Sequence, residues 1–156
     1  MAVVPTVRRA AASDVPAIAA IAAAAYSPYV GSIGVRPGPL DADYAAVVAE
    51  SDVRVVEVDG AVVAFLVLVP AVDHLLLENV AVHPDEQGRG TGSTLLRLAE
   101  EEAAARGLPE VRLYTHRLMA DNLARYRRRG YVETRREPQD GFDRVFLTKL
   151  LRPHES

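Results

Sequence analysis

The chain contains no cysteine, which excludes a disulfide framework, thiolate metal sites and a cysteine nucleophile. It also lacks any run of about 18 apolar residues, so no membrane-spanning helix is expected. Basic residues are not in excess: the net charge of −3 argues against a dedicated nucleic-acid binder, though a local basic patch is still allowed. No internal repeat, linker or low-complexity stretch interrupts the text. His74 and His83 flank an apolar run but stand in no metal-ligand spacing, and they read as loop or capping residues; no metal is expected. Arg8 and Arg9 precede an Ala-rich stretch, as in targeting segments, but Asp14 and Pro16 break it. On that negative ground a cytoplasmic location is expected, with no membrane partner.

What remains is an ordinary globular composition, 49% apolar and 25% charged over 156 residues. That length is enough to bury a core without staples. It reads as a single domain over residues 1–156, with its core at about 3–151. Val3 to Arg9 suggests an edge strand carrying Pro5. Ser13 or Asp14 should cap a helix that runs to about Tyr26, with Pro16 in its first turn. A Gly/Pro-rich loop, SPYVGSIGVRPGP, leads to a short helix beginning near Asp41 or Asp43. Val53 to Val58 and Ala61 to Val69 form a hairpin around Asp59-Gly60. The run HLLLENVAV, His74 to Val82, is apolar enough to predict a strand buried on both faces, interrupted only by Glu78 and Asn79. A helix from Ser93 to Arg106 ends at Gly107. A strand at Val111 to Thr115 and a helix at Asp121 to Arg129 ended by Gly130 follow, and Tyr131 to Arg136 and Arg144 to Leu150 close the chain as a strand pair around the Gln139-Asp140-Gly141 turn. The order predicts a mixed α/β fold with an antiparallel front half feeding a strand-loop-helix unit.

The chemically informative segment is LLLENVAVHPDEQGRGTGSTLLRLAEEEAAARG. A strand ends at Val82, and Gln87-Gly88-Arg89-Gly90-Thr91-Gly92 opens a helix. Glycines let the main chain approach an anion closely, and the helix start supplies unpaired N–H donors and the positive end of a dipole. Together they suit a diphosphate, with Arg89 as an added charge. A nucleotide-hydrolase loop would need a lysine that Gly92-Ser93-Thr94 lacks. The dinucleotide fingerprint needs a third glycine where Ser93 or Leu95 stands. A plain strand-to-helix turn would not need three alternating glycines.

The segment resembles the core motif of the GNAT superfamily of N-acetyltransferases, Gln/Arg-x-x-Gly-x-Gly/Ala, met by Gln87, Gly90 and Gly92. The resemblance extends over nearly the whole chain. It implies a GNAT-like domain, a mostly antiparallel twisted sheet of about seven strands flanked by about four helices. It further implies that the amides of Gln87 to Gly92 hold the pyrophosphate of acetyl-CoA, the cosubstrate. The backbone of Val80, Ala81 and Val82 would pair with the pantetheine arm, an amide near Val80 polarising the thioester carbonyl. Downstream, LYTHRLMADNLARYRRRGYVET resembles the family's C-terminal helix. There the resemblance assigns Asn122 to the pantetheine and Tyr126 to protonation of the leaving thiolate. Asn122 and Tyr126 are four apart, on one helix face. Tyr126 could instead be a core aromatic, and Tyr131 reads as core packing. Arg127 to Arg129 point in different directions and read as a solvated helix end, with contact of one arginine to the CoA 3′-phosphate as the minority reading.

Transfer to an amine requires loss of an ammonium proton, and a carboxylate can take it. Glu78, breaking an apolar strand, is the candidate base; the alternative is a glutamate that simply reaches solvent. Asn79, pointing the other way, could hold the acceptor or a loop. The loop after the first helix, with Tyr29 and Ile33, is the expected acceptor side. The acceptor is then a small amine or a peptide, and the resemblance allows a homodimer. Two rival readings stand beside the enzyme: a non-catalytic acyl-CoA-binding sensor or partner module, and an acyltransferase for a protein N-terminus or a tRNA-linked amine. The negative net charge disfavours the tRNA case.

Overall fold

The computed structural model describes residues 5–27, 42–139 and 142–151. The expectations placed on Val3, Tyr29, Ile33, Asp41 and the Asp140-Gly141 turn lie outside them. The described strands form one seven-stranded sheet in the order β1 (Thr6–Arg9), β2 (Asp52–Val58), β3 (Ala61–Pro70), β4 (Leu75–Val82), β5 (Glu110–His116), β7 (Phe142–Leu150), β6 (Val132–Gln139). Every neighbouring pair is antiparallel except β4 and β5. Asp59 and Gly60 both take positive φ, 53° and 79°, which matches the tight turn whose twist suits a hairpin.

Four described helices cover the sheet. α1 (Val15–Tyr26) and α2 (Tyr44–Glu50) lie on one face and α3 (Thr91–Ala105) and α4 (Ala120–Arg128) on the other. The period-2 alternation of β3 shows why two helical layers are needed. Ala64, Leu66 and Leu68 point to the α3/α4 core, Phe65 and Val67 to the α1/α2 core, and all five are buried. It is therefore β3 that is sealed on both faces. β4 is central in the order but opens in its middle, where Glu78 is exposed.

That opening has a structural origin. Val67 pairs with Asn79 and Leu68 with Leu77, so Glu78 is an extra residue on β4. Such a bulge bends the strand and reverses the phase of every later side chain. Leu75 and Leu77 face α3, and beyond the bulge so do Val80 and Val82, while Ala81 turns to the α1/α2 core. The parallel pairing of β4 with β5 ends in the same place, covering only Leu75–Val111, Leu76–Arg112 and Leu77–Leu113. Beyond it the two strands part, and among the described residues β4 from Glu78 to Val82 has an edge without a strand partner on the β5 side.

The start of α1 differs from expectation. Asp14 precedes the helix but makes no side-chain cap to it. Its carboxylate turns back to accept the Ala11 N–H at 2.7 Å and the Arg8 guanidinium at 2.7 and 2.9 Å. Arg8 also reaches Glu57, tying β1, the α1 entry and β2 together. Hydrogen bonding from Arg8 holds the Asp14 carboxyl down at about 2, against the opposing effect of burial. A depressed carboxyl pKa stabilises the fold above its unfolded value and ceases to do so as pH falls through the folded value. Asp14→Asn is thus expected to destabilise the protein by roughly 1–2 kcal/mol at neutral pH, after allowance for solvent screening. The difference should shrink as pH is lowered from about 4 toward 2. Urea denaturation at stepped pH checks this; a difference independent of pH would show that the carboxylate charge is not what matters.

Candidate functional site

The loop between β4 and α3 has a backbone that leaves helix-start amides without a side-chain cap. Gly88 and Gly90 take φ of 83° and 84°, a region costly for residues with a Cβ. Gly90 is the left-handed N-cap of α3 and makes no side-chain cap, so the first amides of a 15-residue helix lack the usual side-chain acceptor. Gln87 Nε2 donates to the Val82 carbonyl at 3.2 Å and closes the loop on the strand end. Arg89 lies against Glu86 at 3.3 Å. The cavity at this loop, about 450 Å3, is lined instead by Arg125 and Arg128 of α4 and by Arg129 at its C-cap. Arg129 is held by Glu100 at 2.9 Å and Arg127 by Glu133 at 3.3 Å. Arg125 and Arg128 make no ion pair among the described residues. The run thus divides, part helix-end ion pairing and part lining of the anion cavity. Arg125, one helical turn before Arg128, was passed over in the sequence although the spacing places both on one face.

A second, smaller cavity of about 90 Å3 continues from the loop, bounded by Val80, Ala81, Val82, Gln87, Gly92 and Tyr126 among others. It leads to a third, about 280 Å3, in the gap between β4 and β5. Tyr26, Val80, Asn122 and Tyr126 line both of these and form the neck between them. Asn122 and Tyr126 therefore do share a helix face, and that face is the neck. The Tyr126 ring is buried against Tyr131, edge to face at 6.1 Å. α4 is ended by Gly130 at φ 101°, with Tyr131 N–H bonded to Tyr126 C=O and Gly130 N–H to Arg127 C=O. This glycine-dependent cap turns Tyr131 into the core beneath Tyr126.

In the gap cavity, Glu78 is an exposed wall residue with no hydrogen bond or ion pair among the described residues. Asn79 lies on the other side of the bulge. The Tyr26 hydroxyl lies 2.8 Å from Asn79 Oδ1 and 3.0 Å from the Val80 carbonyl, and Asn79 Nδ2 donates to the Tyr44 hydroxyl at 3.3 Å. Burial pushes the Tyr44 hydroxyl up to about 12. Asn79 thus ties α1 and α2 to the bulge while lining the cavity.

The far wall was not foreseen. Tyr114, Thr115 and His116 of β5 and Arg144 of β7 face the same space. Their signal, a strand end that leaves its partner, exists only once the β4–β5 pairing is known. Met119 closes the floor, its sulfur 3.3 Å from the Thr115 hydroxyl and 3.6 Å from Asn122 Nδ2. Among the described residues no cluster of three or more metal-ligating side chains occurs, and no helix is long and apolar enough to cross a membrane.

Residues 18–131 match the model of the acetyltransferase (GNAT) family. No curated protein matches the chain. Among solved structures, the PaiA N-acetyltransferase of Thermoplasma acidophilum, determined with coenzyme A, superposes with a TM-score of 0.79 at 18% identity, covering 95% of this chain and 99% of that one. The ribosomal-protein-S18-alanine N-acetyltransferase of Escherichia coli gives 0.78 at 21% identity, covering 97% of each chain. A GNAT family acetyltransferase of Elizabethkingia anophelis with acetyl-CoA bound gives 0.68 at 16%, covering 94% and 98%.

Proposed function

The chain belongs to the acetyltransferase (GNAT) family, and from that premise we propose that it transfers an acetyl group from acetyl-CoA to a primary amine of a small molecule or peptide, by direct attack in a ternary complex. The observation that carries this reading is the continuity of the three cavities, from the Gly88–Gly92 loop through the Tyr126 neck to Glu78.

The residues present fit acetyl-CoA. The loop amides and the start of α3 hold the diphosphate, with Arg125 and Arg128 adding charge. The partnerless edge of β4 accepts an extended chain as a strand would, which suits the amide-bearing pantetheine arm. When bound, acetyl-CoA supplies an activated acyl group at the neck. There the backbone amide near Val80 stabilises negative charge developing on the carbonyl oxygen. Glu78, directly or through water, takes a proton from the amine. Tyr126 delivers a proton to the departing sulfur. One N–C bond forms and one C–S bond breaks. With no cysteine in the chain, transfer needs no thiol acyl-enzyme.

Calorimetric titration with acetyl-CoA should show micromolar binding, and an amine panel should release free CoA thiol. Glu78→Gln is expected to lower kcat/KM for the amine roughly 100-fold near neutral pH, with acetyl-CoA affinity retained. Binding without thiol release from any amine would identify a non-catalytic acyl-CoA sensor. Absence of binding would remove the transferase reading altogether.

A further inference from the structure

The wall of the gap cavity across from β4 carries an ordered set of charges. In the β5–β7 ladder His116 stands directly opposite Arg144, and Tyr114 opposite Phe146. Directly paired residues share a sheet face, and residues two apart on a strand do as well. Tyr114, His116 and Arg144 therefore project from one face, and all three line the cavity with Glu78. The Arg144 guanidinium sits 4.6 Å from the centre of the Tyr114 ring, a cation–π arrangement that orients it. The Tyr114 hydroxyl, raised mainly by burial, is lowered by the charge of Arg144 and raised by that of Glu78. The ring is thus within electrostatic reach of both a carboxylate and a guanidinium. Glu78 and Arg144 line the same cavity, which thus presents charges of both signs.

His116 adds a neutral donor. Its Nδ1 accepts the Leu118 N–H at 3.1 Å, which puts the ring proton on Nε2. Burial lowers its pKa, with Asp143 opposing and Arg117 assisting.

We propose that the acceptor is an amine that also bears a carboxylate, a free amino acid or a related amino carboxylate, bound with nitrogen toward Glu78 and carboxylate toward Arg144 and His116. This rests on the acyl-transfer reading above. An acceptor of that class meets a charge of opposite sign for each of its own, in a cavity part of whose lining (Val47, Val67, Leu77, Leu113, Met119) is apolar and strengthens both interactions. A diamine would set its second cation against Arg144. The cavity, about 280 Å3, is at the lower end of small-molecule sites. The bond changes are those of the transfer itself: N–C forms and C–S breaks; the ammonium gives one proton to Glu78 before attack, which Glu78 releases to solvent, and the sulfur takes one from Tyr126, whose hydroxyl is restored by the second proton leaving nitrogen. The acceptor carboxylate is unchanged.

The test measures CoA thiol release from acetyl-CoA with amino acids, β-alanine included, beside their primary amides and aliphatic diamines. Carboxylates should exceed their matched amides in kcat/KM by about tenfold or more. Arg144→Gln should bring that ratio close to one, and Arg144→Lys should keep most of it. Amides or diamines equal to the carboxylates, no turnover of any amino carboxylate, or an undiminished ratio in Arg144→Gln would overturn the proposal. Acetyl-CoA binding is measured first on the same sample. If it is absent, the transferase reading itself has failed; if it is present and diamines are the substrates, only the acceptor assignment has.

Discussion

Tyr126→Phe should lower kcat with acetyl-CoA by roughly 100- to 10,000-fold while acetyl-CoA binding changes by less than about threefold. The substitution removes one oxygen and keeps the ring. That ring is only 8% exposed, packs edge to face on Tyr131 and belongs to the α3/α4 core, so the fold should persist and the melting temperature should barely move. What disappears is the hydroxyl proposed as proton donor, on a residue that lines both inner cavities. An alkyl thiolate, with a free pKa of roughly 8.5 like that of a cysteine thiol, leaves poorly without a proton. A tyrosine can supply that proton only if it is held in place. An acetyl thioester of an aromatic thiol, whose thiolate is stable unprotonated, should therefore lose far less activity in the same variant. Equal losses for both donors would assign Tyr126 to packing, and an unchanged kcat would remove it from the mechanism.

How legible these features were depended on whether the cause was local. The α3 start, the Asp59-Gly60 turn and the ends of α3 and α4 at Gly107 and Gly130 depend on single residues and their near neighbours, and the sequence shows them within a residue or two. The Asn122–Tyr126 pair is also local, because a four-residue spacing on a helix is enough. The family match and the seven-stranded sheet agree with the resemblance read from Gln87, Gly90 and Gly92. By contrast, Glu78 looks like an odd carboxylate in an apolar strand until its neighbour β3 is placed. Only the register Val67–Asn79, Leu68–Leu77 reveals a bulge. The same holds for Tyr114, His116 and Arg144, which matter because β5 leaves β4 after Leu113. Asp14 has the composition of a cap, yet a salt link to Arg8 on the preceding strand outcompetes the helix amides for its carboxylate. In each case the deciding interaction crosses between elements, even where, as for Arg8 and Asp14, the partners are close in the chain.

Gly90→Val should weaken acetyl-CoA binding by about 100-fold, or about 2.7 kcal/mol, without unfolding the protein. An added Cβ at Gly90 meets nothing within 4 Å, so the effect cannot be a clash. It comes from the backbone: φ is 84° at the N-cap of α3, and a β-branched residue resists that region at a cost of roughly 1–2 kcal/mol. The loop relaxes by rotating the peptide planes on either side of Gly90, and the amides that must converge on one anion no longer do so. Gly60→Val is the matched control. Gly60 has nearly the same φ, 79°, and equally open space, but it lies in the β2–β3 turn and lines none of the three cavities. It should lose comparable stability and keep full affinity. Gly92→Ala separates the third case. Gly92 has no positive φ, and its added methyl would touch only Val82 Cγ2 at 4.0 Å, so the helix tolerates it. The methyl nonetheless enters the lining shared by the loop cavity and the 90 Å3 cavity beside it, and a loss of about tenfold in affinity is expected there. Affinity lost in the order Gly90→Val, Gly92→Ala, Gly60→Val would tie binding to the geometry of this loop. Equal affinity in all three would reduce the glycines to a turn and leave the diphosphate without a site.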